Sequence, residues 1–259
     1  MTAKIWFIGA GPGAADLLTL RAADTIRAAD VVIWASSLVH EDVLAHAKPD
    51  AEVVDSKVLT LEDVLALYRR ARTEGLTVAR IHSGDPSIYG AVQEQIEAAD
   101  ELGIEWEIVP GVTSVAAASA AVGRELTIPE IAQSVVFTRM ATRTPMPAGE
   151  ELRSFAAHGT TLAVFLSASR PKKLQAELLA GGYPPDTPCV VGYRVSWPDE
   201  KIVTCHLGEL AGTIRRMQVT MHTLVLVGPA LQAEGTRSHL YTPTFATSYR
   251  PASAEVTDA

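Results

Sequence analysis

The sequence predicts an α/β protein with two α/β domains, each built on a mixed, largely parallel sheet. Three observations lead to this prediction. Short runs of strand-forming residues alternate with longer amphipathic runs along the chain. The length of 259 residues exceeds what one small core requires. The alternation stops at Gly123–Pro129 and then resumes. We therefore expect one domain over residues 1–124, a second over 125–231, and a polar tail over 232–259.

The first half contains five predicted strands separated by helical patterns. The strands are rich in Val and Ile without strict alternation, which indicates burial on both faces and parallel pairing. The predicted strands are Lys4–Ile8, Val31–Trp34, Glu52–Val54, Thr77–Ile81 and Glu105–Val109. The helical patterns cover Leu17–Ala28, Glu41–Ala45, Leu61–Thr73, Ser87–Ala98 and Val112–Val122.

The second half repeats this alternation. Its predicted strands are Ser134–Phe137, Thr161–Leu166, Cys189–Tyr193, Lys201–Cys205 and Leu224–Val227. Its clearest helices are Lys172–Ala180, which ends at a Gly-Gly-Tyr-Pro-Pro run, and Leu207–Arg215. From Gln232 onward the chain is polar and contains Pro243 and Pro251, so we expect a tail that is loosely docked or disordered.

Composition excludes several classes of protein. Hydrophobic residues make up 47% of the chain, enough to build a core, but no apolar run reaches the ~18 residues of a membrane span. With no basic, apolar leader either, we expect a soluble cytoplasmic protein without a membrane partner. The net charge of -8, without a long Lys or Arg run, argues against nucleic acid. Neither the two cysteines nor the seven scattered histidines have metal-ligand spacing, so no metal is expected.

A glycine-rich turn, Gly9–Ala14, follows the first predicted strand and precedes a helix. It fits a relaxed dinucleotide fingerprint. However, the second strand runs into Trp34–Ser37 instead of the carboxylate that binds a ribose, and Pro12 lacks an amide for a pyrophosphate. The residues alone leave open a binding turn and a tight turn without a ligand.

Two polar loops follow strands of the same predicted sheet. His82–Gly90 carries Asp85, which suits either a helix cap or a contact to a cationic ligand. Pro110–Ser114 offers Thr113 and Ser114, which suit either helix capping or a ligand. The carboxyl ends of parallel strands meet at one edge, where α/β proteins bind ligands, so the loops together predict one pocket.

A third loop, Thr138–Pro147, carries Arg139 and Arg143 ahead of Pro145 and Pro147. Guanidinium groups bind carboxylates in a bidentate manner, although two solvated arginines would give the same pattern. The chain contains neither a Walker A lysine motif nor a G-x-S-x-G elbow, which disfavours phosphoryl transfer and serine hydrolysis.

Two long segments resemble the signatures of the tetrapyrrole methylases, the family of uroporphyrinogen-III and precorrin methyltransferases. One is Ile8–Gly13 followed by Leu17–Ala22, and the other runs from Val78 to Gly90 and closes at Val109–Gly111. The similarity extends from about Lys4 to Gly228. In one departure, Gly13-Ala14-Ala15-Asp16 stands where family members often have Gly-Asp-Pro. Asp16 therefore either replaces the usual aspartate near the substrate or leaves that role unfilled.

The resemblance implies two α/β domains with S-adenosylmethionine in the cleft between them, and a homodimer. Carried over by motif, the cofactor contacts are Pro12, Ser83, Gly84, Asp85, Ile88, Thr113, Ser114, Leu166, Tyr193, His222 and Thr223. A tetrapyrrole bears many carboxylates, for which the candidates are Arg124, Arg139 and Arg143. A weak base, either His82 or an ordered water, is the candidate for accepting the proton that the methylated macrocycle releases.

Four segments resemble the branch of this family that methylates C11 of precorrin-4 to give precorrin-5 in cobalamin biosynthesis. They are Trp34–Val39, Ser83–Gly90, Arg143–Pro145 and Tyr193–Glu200. The alternatives are methylation at another ring carbon, a cobalt-containing precorrin-4, a Rossmann-type dehydrogenase, and a tetrapyrrole-binding protein without catalysis.

Overall fold

The computed structural model describes residues 2–235 and 238–253. This part of the chain divides into two compact units. The first unit consists of the chain up to Ala120 together with Gly192–Ile202, and the second contains the remaining described residues. The division falls a few residues before the expected boundary at 124. The sequence analysis expected Gly192–Ile202 within the second domain, whereas the structure groups this segment with the first unit.

A five-stranded sheet forms the centre of the first unit. Its strands are β1 (Lys4–Gly9), β2 (Val31–Trp34), β3 (Glu52–Asp55), β4 (Thr77–His82) and β5 (Glu105–Val109). They lie in the order β3-β2-β4-β1-β5, and every pair is parallel. The predicted strands and their parallel pairing are therefore confirmed. This arrangement brings the carboxyl ends of all five strands to one edge of the sheet.

The helices of this unit cover both faces of the sheet. They are α1 (Leu20–Ala28), α2 (Leu61–Glu74), α3 (Gln93–Glu101) and α4 (Ser114–Ala121). Helices α2 and α3 pack over a buried cluster that contains Phe7, Val78 and Tyr68. Helix α1 packs over a second cluster that contains Ile8 and Ile81. Because successive strand residues point to opposite faces, the β4 residues between Val78 and His82 are divided between these two cores.

Three predicted helices of the first unit differ from the structure. Helix α1 begins at Leu20, capped by the Thr19 side chain, instead of at Leu17. Glu41–His46 forms a 3₁₀ turn. The prediction of a helix from Ser87 is wrong in its first half, because α3 begins at Gln93 and the preceding residues form a loop. Tyr89 and Ala91 in this loop have φ angles of 54° and 48°, which no helix contains.

The second sheet also contains five strands. They are β6 (Val135–Arg139), β7 (Thr161–Phe165), β8 (Pro188–Tyr193), β9 (Lys201–His206) and β10 (Thr223–Val227). Their order is β6-β7-β10-β8-β9, with β6 parallel and β10 antiparallel to β7. The expected mixed sheet is confirmed. The accompanying helices are α5 (Leu152–Ala156), α6 (Pro171–Ala180) and α7 (Leu210–Met217), of which α5 was not predicted.

The tail after Gln232 is described at residues 232–235 and 238–253 only. Within it, His239–Tyr241 forms a 3₁₀ turn, and the Arg250 guanidinium donates to the carbonyls of Leu240 and Thr242 at 2.6 and 3.1 Å. The expectation for the tail at 236–237 and 254–259 falls outside the described residues.

Among the described residues, no helix combines the length and apolar character needed to cross a membrane.

Candidate functional site

The loops that follow β1 and β4 are joined by backbone hydrogen bonds at the carboxyl edge of the first sheet. The amide of Gly11 donates to the carbonyl of Gly84 at 3.2 Å, and the amide of Gly84 donates to the carbonyl of Gly11 at 2.7 Å. The Ala10 amide also donates to the His82 carbonyl at 2.8 Å. These reciprocal bonds fix the glycine turn against the polar loop, as expected for loops of a common site.

Glycine is required where these loops meet the loop after β5. A Cβ atom on Gly111 would lie 2.1 Å from the Gly84 carbonyl oxygen, and one on Gly9 would lie 2.6 Å from the Gly111 amide nitrogen. Gly84 has a φ of 65°, and a Cβ there would find only the Thr113 Cα, at 4.0 Å. The backbone of Gly84 is therefore open on that side. This geometry fits a cofactor that approaches the backbone closely.

The Asp85 carboxylate braces two of these loops. Its Oδ2 accepts a hydrogen bond from the Gly111 amide at 2.8 Å, and its Oδ1 accepts from the Ser87 amide at 2.9 Å and from the Ser87 hydroxyl. Burial would raise the pKa of the Asp85 carboxyl, but these hydrogen bonds outweigh burial and hold the pKa below its usual value. We interpret the carboxylate as a brace. A cofactor contact through the residue's backbone stays a prediction.

A segment distant in sequence supports the glycine turn within the first unit. The Trp197 indole N–H donates to the Pro12 carbonyl at 3.0 Å, and the Ala14 amide donates to the Ser196 hydroxyl oxygen at 3.0 Å. The Trp197 ring occupies the space beside Gly13, where a Cβ would lie 2.1 Å from a ring carbon. The glycine at position 13 therefore accommodates this indole.

Several side chains hold Trp197 in place. The His40 ring meets the indole edge-on with a centroid distance of 5.0 Å, and the Arg194 guanidinium lies 4.8 Å from the indole centroid. Arg194 also pairs with Asp199 at 2.9 Å. Arg194 and Ser196 both have positive φ angles, 44° and 67°. Strained backbone of this kind persists where the surroundings fix it, and it is concentrated at functional sites.

His82 lies at the end of β4 but is buried, with 7% of its surface exposed. Burial, together with the nearby Arg80 charge, lowers the pKa of its imidazole to about 3, despite a hydrogen bond with the Gly90 backbone. An imidazole with so low a pKa is a poor proton acceptor at neutral pH. The structure therefore disfavours His82 as the general base.

The predicted contacts in the second half lie at strand ends. Leu166 directly follows β7 and His222 directly precedes β10, and the antiparallel register places these ends side by side. Leu166 has a φ of 52° and is 64% exposed, and His222 has a φ of 50°. Thr223 is buried and its hydroxyl donates to the Met221 carbonyl at 2.9 Å. Tyr193 belongs to the first unit. Their cofactor contacts stay predictions.

The candidate substrate residues differ in their surroundings. The Arg139 guanidinium donates to the carbonyls of Thr144 and Pro145 at 3.2 and 2.8 Å, so it braces its own loop. Arg143 is exposed. Arg124 donates to the Ala233 carbonyl at 3.3 Å, and Asp16 is exposed in a 3₁₀ turn. Arg143 is therefore the best placed of these arginines to receive a ligand carboxylate.

Sequence reasoning missed the roles of Trp197, Ser196 and Gln95. Trp197 and Ser196 stood in a segment quoted for its resemblance, but nothing local indicated that they contact a turn near the amino terminus. Gln95 was part of a predicted amphipathic helix, and no local signal indicates the hydrogen bonds of its buried side chain with Tyr68, Arg80 and the Ala91 carbonyl. In the described part of the chain, no group of three or more His, Cys, Asp or Glu side chains is placed to hold a metal ion.

Comparisons with known proteins identify the class. The family described as Tetrapyrrole (Corrin/Porphyrin) Methylases matches residues 4–211, which is most of the chain. The chain belongs to this family. Membership disfavours the dehydrogenase alternative and agrees with the objections to a dinucleotide site at the glycine turn.

Individual relatives narrow the comparison. The precorrin-4 C(11)-methyltransferase of Mycobacterium tuberculosis is 44% identical over 92% of this chain and 95% of its own length. The solved structure of a cobalt precorrin-4 methyltransferase, a cobalamin biosynthetic enzyme, is 43% identical with a TM-score of 0.86, covering 89% of this chain and 96% of that one. A uroporphyrin-III C-methyltransferase from Thermus thermophilus, solved with S-adenosylhomocysteine, is 31% identical with a TM-score of 0.74, covering 88% and 93%.

Proposed function

We propose that this protein is an S-adenosylmethionine-dependent methyltransferase that methylates C11 of precorrin-4 to give precorrin-5 in cobalamin biosynthesis. The observation that carries the proposal is the close approach of three loops at Gly9, Gly84 and Gly111, at the carboxyl edge of the first sheet. The chain is also similar over nearly its whole length to a precorrin-4 C(11)-methyltransferase. The open backbone face at Gly84 is the feature that a closely held nucleoside requires.

S-adenosylmethionine supplies a methyl group that its sulfonium already makes electrophilic. The chain therefore needs no nucleophilic side chain, and its task is to align donor and acceptor and to exclude water. The loops around Pro12, Gly84 and Thr113 fit this task because hydrogen bonds and close backbone contacts within the protein fix them. Fixed loops lose little conformational entropy on binding.

The polycarboxylate substrate requires local positive charge, because the whole chain carries a net charge of -8. Charges beyond ~8 Å are largely screened at physiological salt, so nearby guanidinium groups determine carboxylate binding. Arg143 is the leading candidate, with Arg139 holding the loop that carries it. We do not assign the proton acceptor to His82, because its imidazole is buried and has a low pKa.

A second candidate substrate is cobalt-containing precorrin-4. It is favoured by the similarity to the solved cobalt precorrin-4 methyltransferase, at 43% identity and a TM-score of 0.86. We further propose that the protein acts in the cytoplasm as a homodimer.

The test is incubation with labelled S-adenosylmethionine and each of three tetrapyrroles: precorrin-4, its cobalt complex and uroporphyrinogen III. The position of the new methyl group is then read by NMR. We expect label at C11 of precorrin-4. Label at another ring carbon assigns a different methylase of the family. Tetrapyrrole binding without transfer indicates a binding protein, and binding of NAD instead of S-adenosylhomocysteine in calorimetry overturns the proposal.

A further inference from the structure

The turn Tyr89–Ala91 is strained and immediately follows the loop that carries the predicted cofactor residues. Tyr89 and Ala91 adopt left-handed backbone, although neither is glycine. Gly90 between them closes the turn tightly, because a Cβ there would lie 2.3 Å from the Pro86 carbonyl oxygen. Such backbone is unfavourable for a residue with a side chain, so it persists only where other contacts impose it.

A buried glutamine on α3 is hydrogen-bonded to this turn. The Gln95 side-chain amide donates to the Ala91 carbonyl at 2.8 Å. Its carbonyl oxygen accepts hydrogen bonds from the Tyr68 hydroxyl at 2.9 Å and from the Arg80 Nε at 3.0 Å. Gln95 is only 4% exposed and Tyr68 is fully buried. With both ends of its amide bonded, Gln95 cannot rotate without losing buried hydrogen bonds.

Arg80 extends this network to the ends of neighbouring strands. Its Nη1 donates to the Ser56 hydroxyl oxygen at 3.0 Å, and that hydroxyl donates to the Trp34 carbonyl at 2.9 Å. In residues 2–235 and 238–253 Arg80 makes no ion pair with a carboxylate. Its guanidinium is therefore held by hydrogen bonds to the neutral side chains of Gln95 and Ser56 and not by a carboxylate.

Packing alone does not require these polar groups. The cluster over which α3 packs contains Val64, Val78, Val92 and Ile96, so apolar side chains supply the packing of α3 on the sheet. A buried polar network is costly to build, and its contribution is to specify one conformation. Here the specified conformation is that of the turn. It holds Tyr89, an aromatic residue with 47% exposure, at the edge where ligands of parallel sheets bind.

We propose that Gln95, braced by Tyr68 and Arg80, is a positioning residue that holds the strained turn so that the Tyr89 ring faces the tetrapyrrole. A flat macrocycle with conjugated segments offers a face on which an aromatic ring packs. This inference rests on the proposed function for its substrate, but the role of Gln95 in the turn stands independently of it.

The central experiment compares Gln95→Leu, which removes all three hydrogen bonds at similar volume, with Ile96→Val, a control on the same buried face. For Gln95→Leu, loss of the fixed turn should raise the KM for precorrin-4 about tenfold. The Kd for S-adenosylhomocysteine should stay within about threefold, because Asp85 and Gly111 fix that part of the loop separately. Tyr89→Ala should raise the same KM. Ile96→Val should lower thermal stability without changing either constant.

A rescue variant separates positioning from general stability. Glycine adopts left-handed backbone without strain, so Ala91→Gly in the Gln95→Leu background should recover part of the lost precorrin-4 affinity. An unchanged KM in Gln95→Leu, or a raised KM without rescue, overturns the positioning role. An unchanged KM in Tyr89→Ala overturns the role of the ring.

Hydrogen exchange tests the turn without any substrate. Gln95→Leu should accelerate exchange at the amides of residues 89–92 more than Ile96→Val does. Equal exchange in the two variants overturns the positioning role. If the wild-type protein binds S-adenosylhomocysteine but no tetrapyrrole, the proposed function fails together with the substrate part of this inference, and exchange still decides the role of Gln95.

Discussion

The strand-end loops of the first unit and the arginine loop of the second are held in different ways. The former are joined to one another by backbone bonds between Gly11 and Gly84, by the Asp85 carboxylate and by Trp197. The loop after β6 is braced by Arg139, a residue of that same loop, and leaves Arg143 exposed. The comparison predicts rigid loops in the first unit, as the proposed cofactor would need, and a more adaptable loop around Arg143, as the proposed carboxylate-rich substrate would need.

The largest effect is expected when a side chain is added where the loop after β5 contacts the loop after β4. Gly111→Ala would place a methyl group 2.1 Å from the Gly84 carbonyl oxygen. Because backbone must move, we expect a loss of about 3 kcal/mol or more in the free energy of unfolding, together with loss of S-adenosylhomocysteine binding. Gly235→Ala is the control, since a Cβ there meets nothing within 4 Å. Denaturant unfolding and calorimetry give both quantities, and a stable Gly111→Ala variant that binds the ligand would show that the loops are not rigid.

Asp85→Asn weakens the same region without adding atoms. Its carboxylate accepts hydrogen bonds from Gly111 and Ser87, so we expect a loss of about 1.5–3 kcal/mol in the free energy of unfolding and weaker cofactor binding. Because the folded pKa lies below the unfolded value of 3.8, this stabilisation is present above pH 3.8 and is lost as pH falls through the folded pKa.

Unfolding measured from pH 7 to pH 2 should therefore show a smaller acid-induced loss in Asp85→Asn than in the wild type. Asp63→Asn is the control, because Asp63 also has a lowered pKa but caps α2 with Thr60. This control should change the acid limb and leave cofactor affinity unchanged. Equal cofactor affinity in Asp85→Asn and the wild type would argue against the brace.

In the arginine loop, Thr138–Pro147, loss of a guanidinium group should weaken substrate binding without lowering the free energy of unfolding. Arg143→Ala removes one charge-assisted contact and should weaken precorrin-4 binding about tenfold, with unchanged unfolding and unchanged S-adenosylhomocysteine affinity. Arg139→Ala should also weaken precorrin-4 binding, because the loop loses its bonds to Thr144 and Pro145. Arg72→Ala, at an exposed arginine of α2, is the control. Normal affinity in the Arg139/Arg143 double variant would make this loop a connector.

The smallest effect concerns the support of the glycine turn. Trp197→Phe keeps most of the ring but removes the hydrogen bond to the Pro12 carbonyl, so we expect a loss of about 1 kcal/mol and a several-fold weaker affinity for S-adenosylhomocysteine. Trp106→Phe is a matched control, because its indole N–H donates to Asp100 at 2.8 Å on the exposed edge strand β5. If both variants bind the cofactor equally, Trp197 does not contribute to the site.

Most of the fold follows from local patterns. Runs of Val and Ile identified the strands of the first sheet, and their parallel pairing placed Ser83 and Thr113 at one edge. The loop at Ser87–Val92 was not predicted, because Asp85-Pro86 resembles a helix start and nothing in the sequence indicates the hydrogen bond from the Gln95 side chain to the Ala91 carbonyl. The short helix α5 contains only five residues and gave too weak a periodicity.

Only part of the candidate site could be predicted from the sequence. Motifs located the strand-end loops, since each loop is continuous in sequence. The roles of Trp197 and Ser196 were not predictable, because their contacts span 185 and 182 residues. For the Asp85 carboxylate the sequence left a cap and a ligand contact open; its three hydrogen bonds are to Gly111 and Ser87, and the cofactor contact of this residue stays a prediction. Whether such a side chain bonds to the protein or to a ligand depends on its three-dimensional surroundings, which the local sequence does not reveal.

The contact between Trp197 and Pro12 also constrains how the protein is made. The indole that supports the glycine turn is synthesised 185 residues after Pro12. Contacts with such large sequence separation form late, because the intervening chain must first be ordered. A nascent chain, or a fragment that ends at Ala120, therefore has the glycine turn without its support. Ligand binding by this turn should appear only after β8 and the following segment have been synthesised and folded.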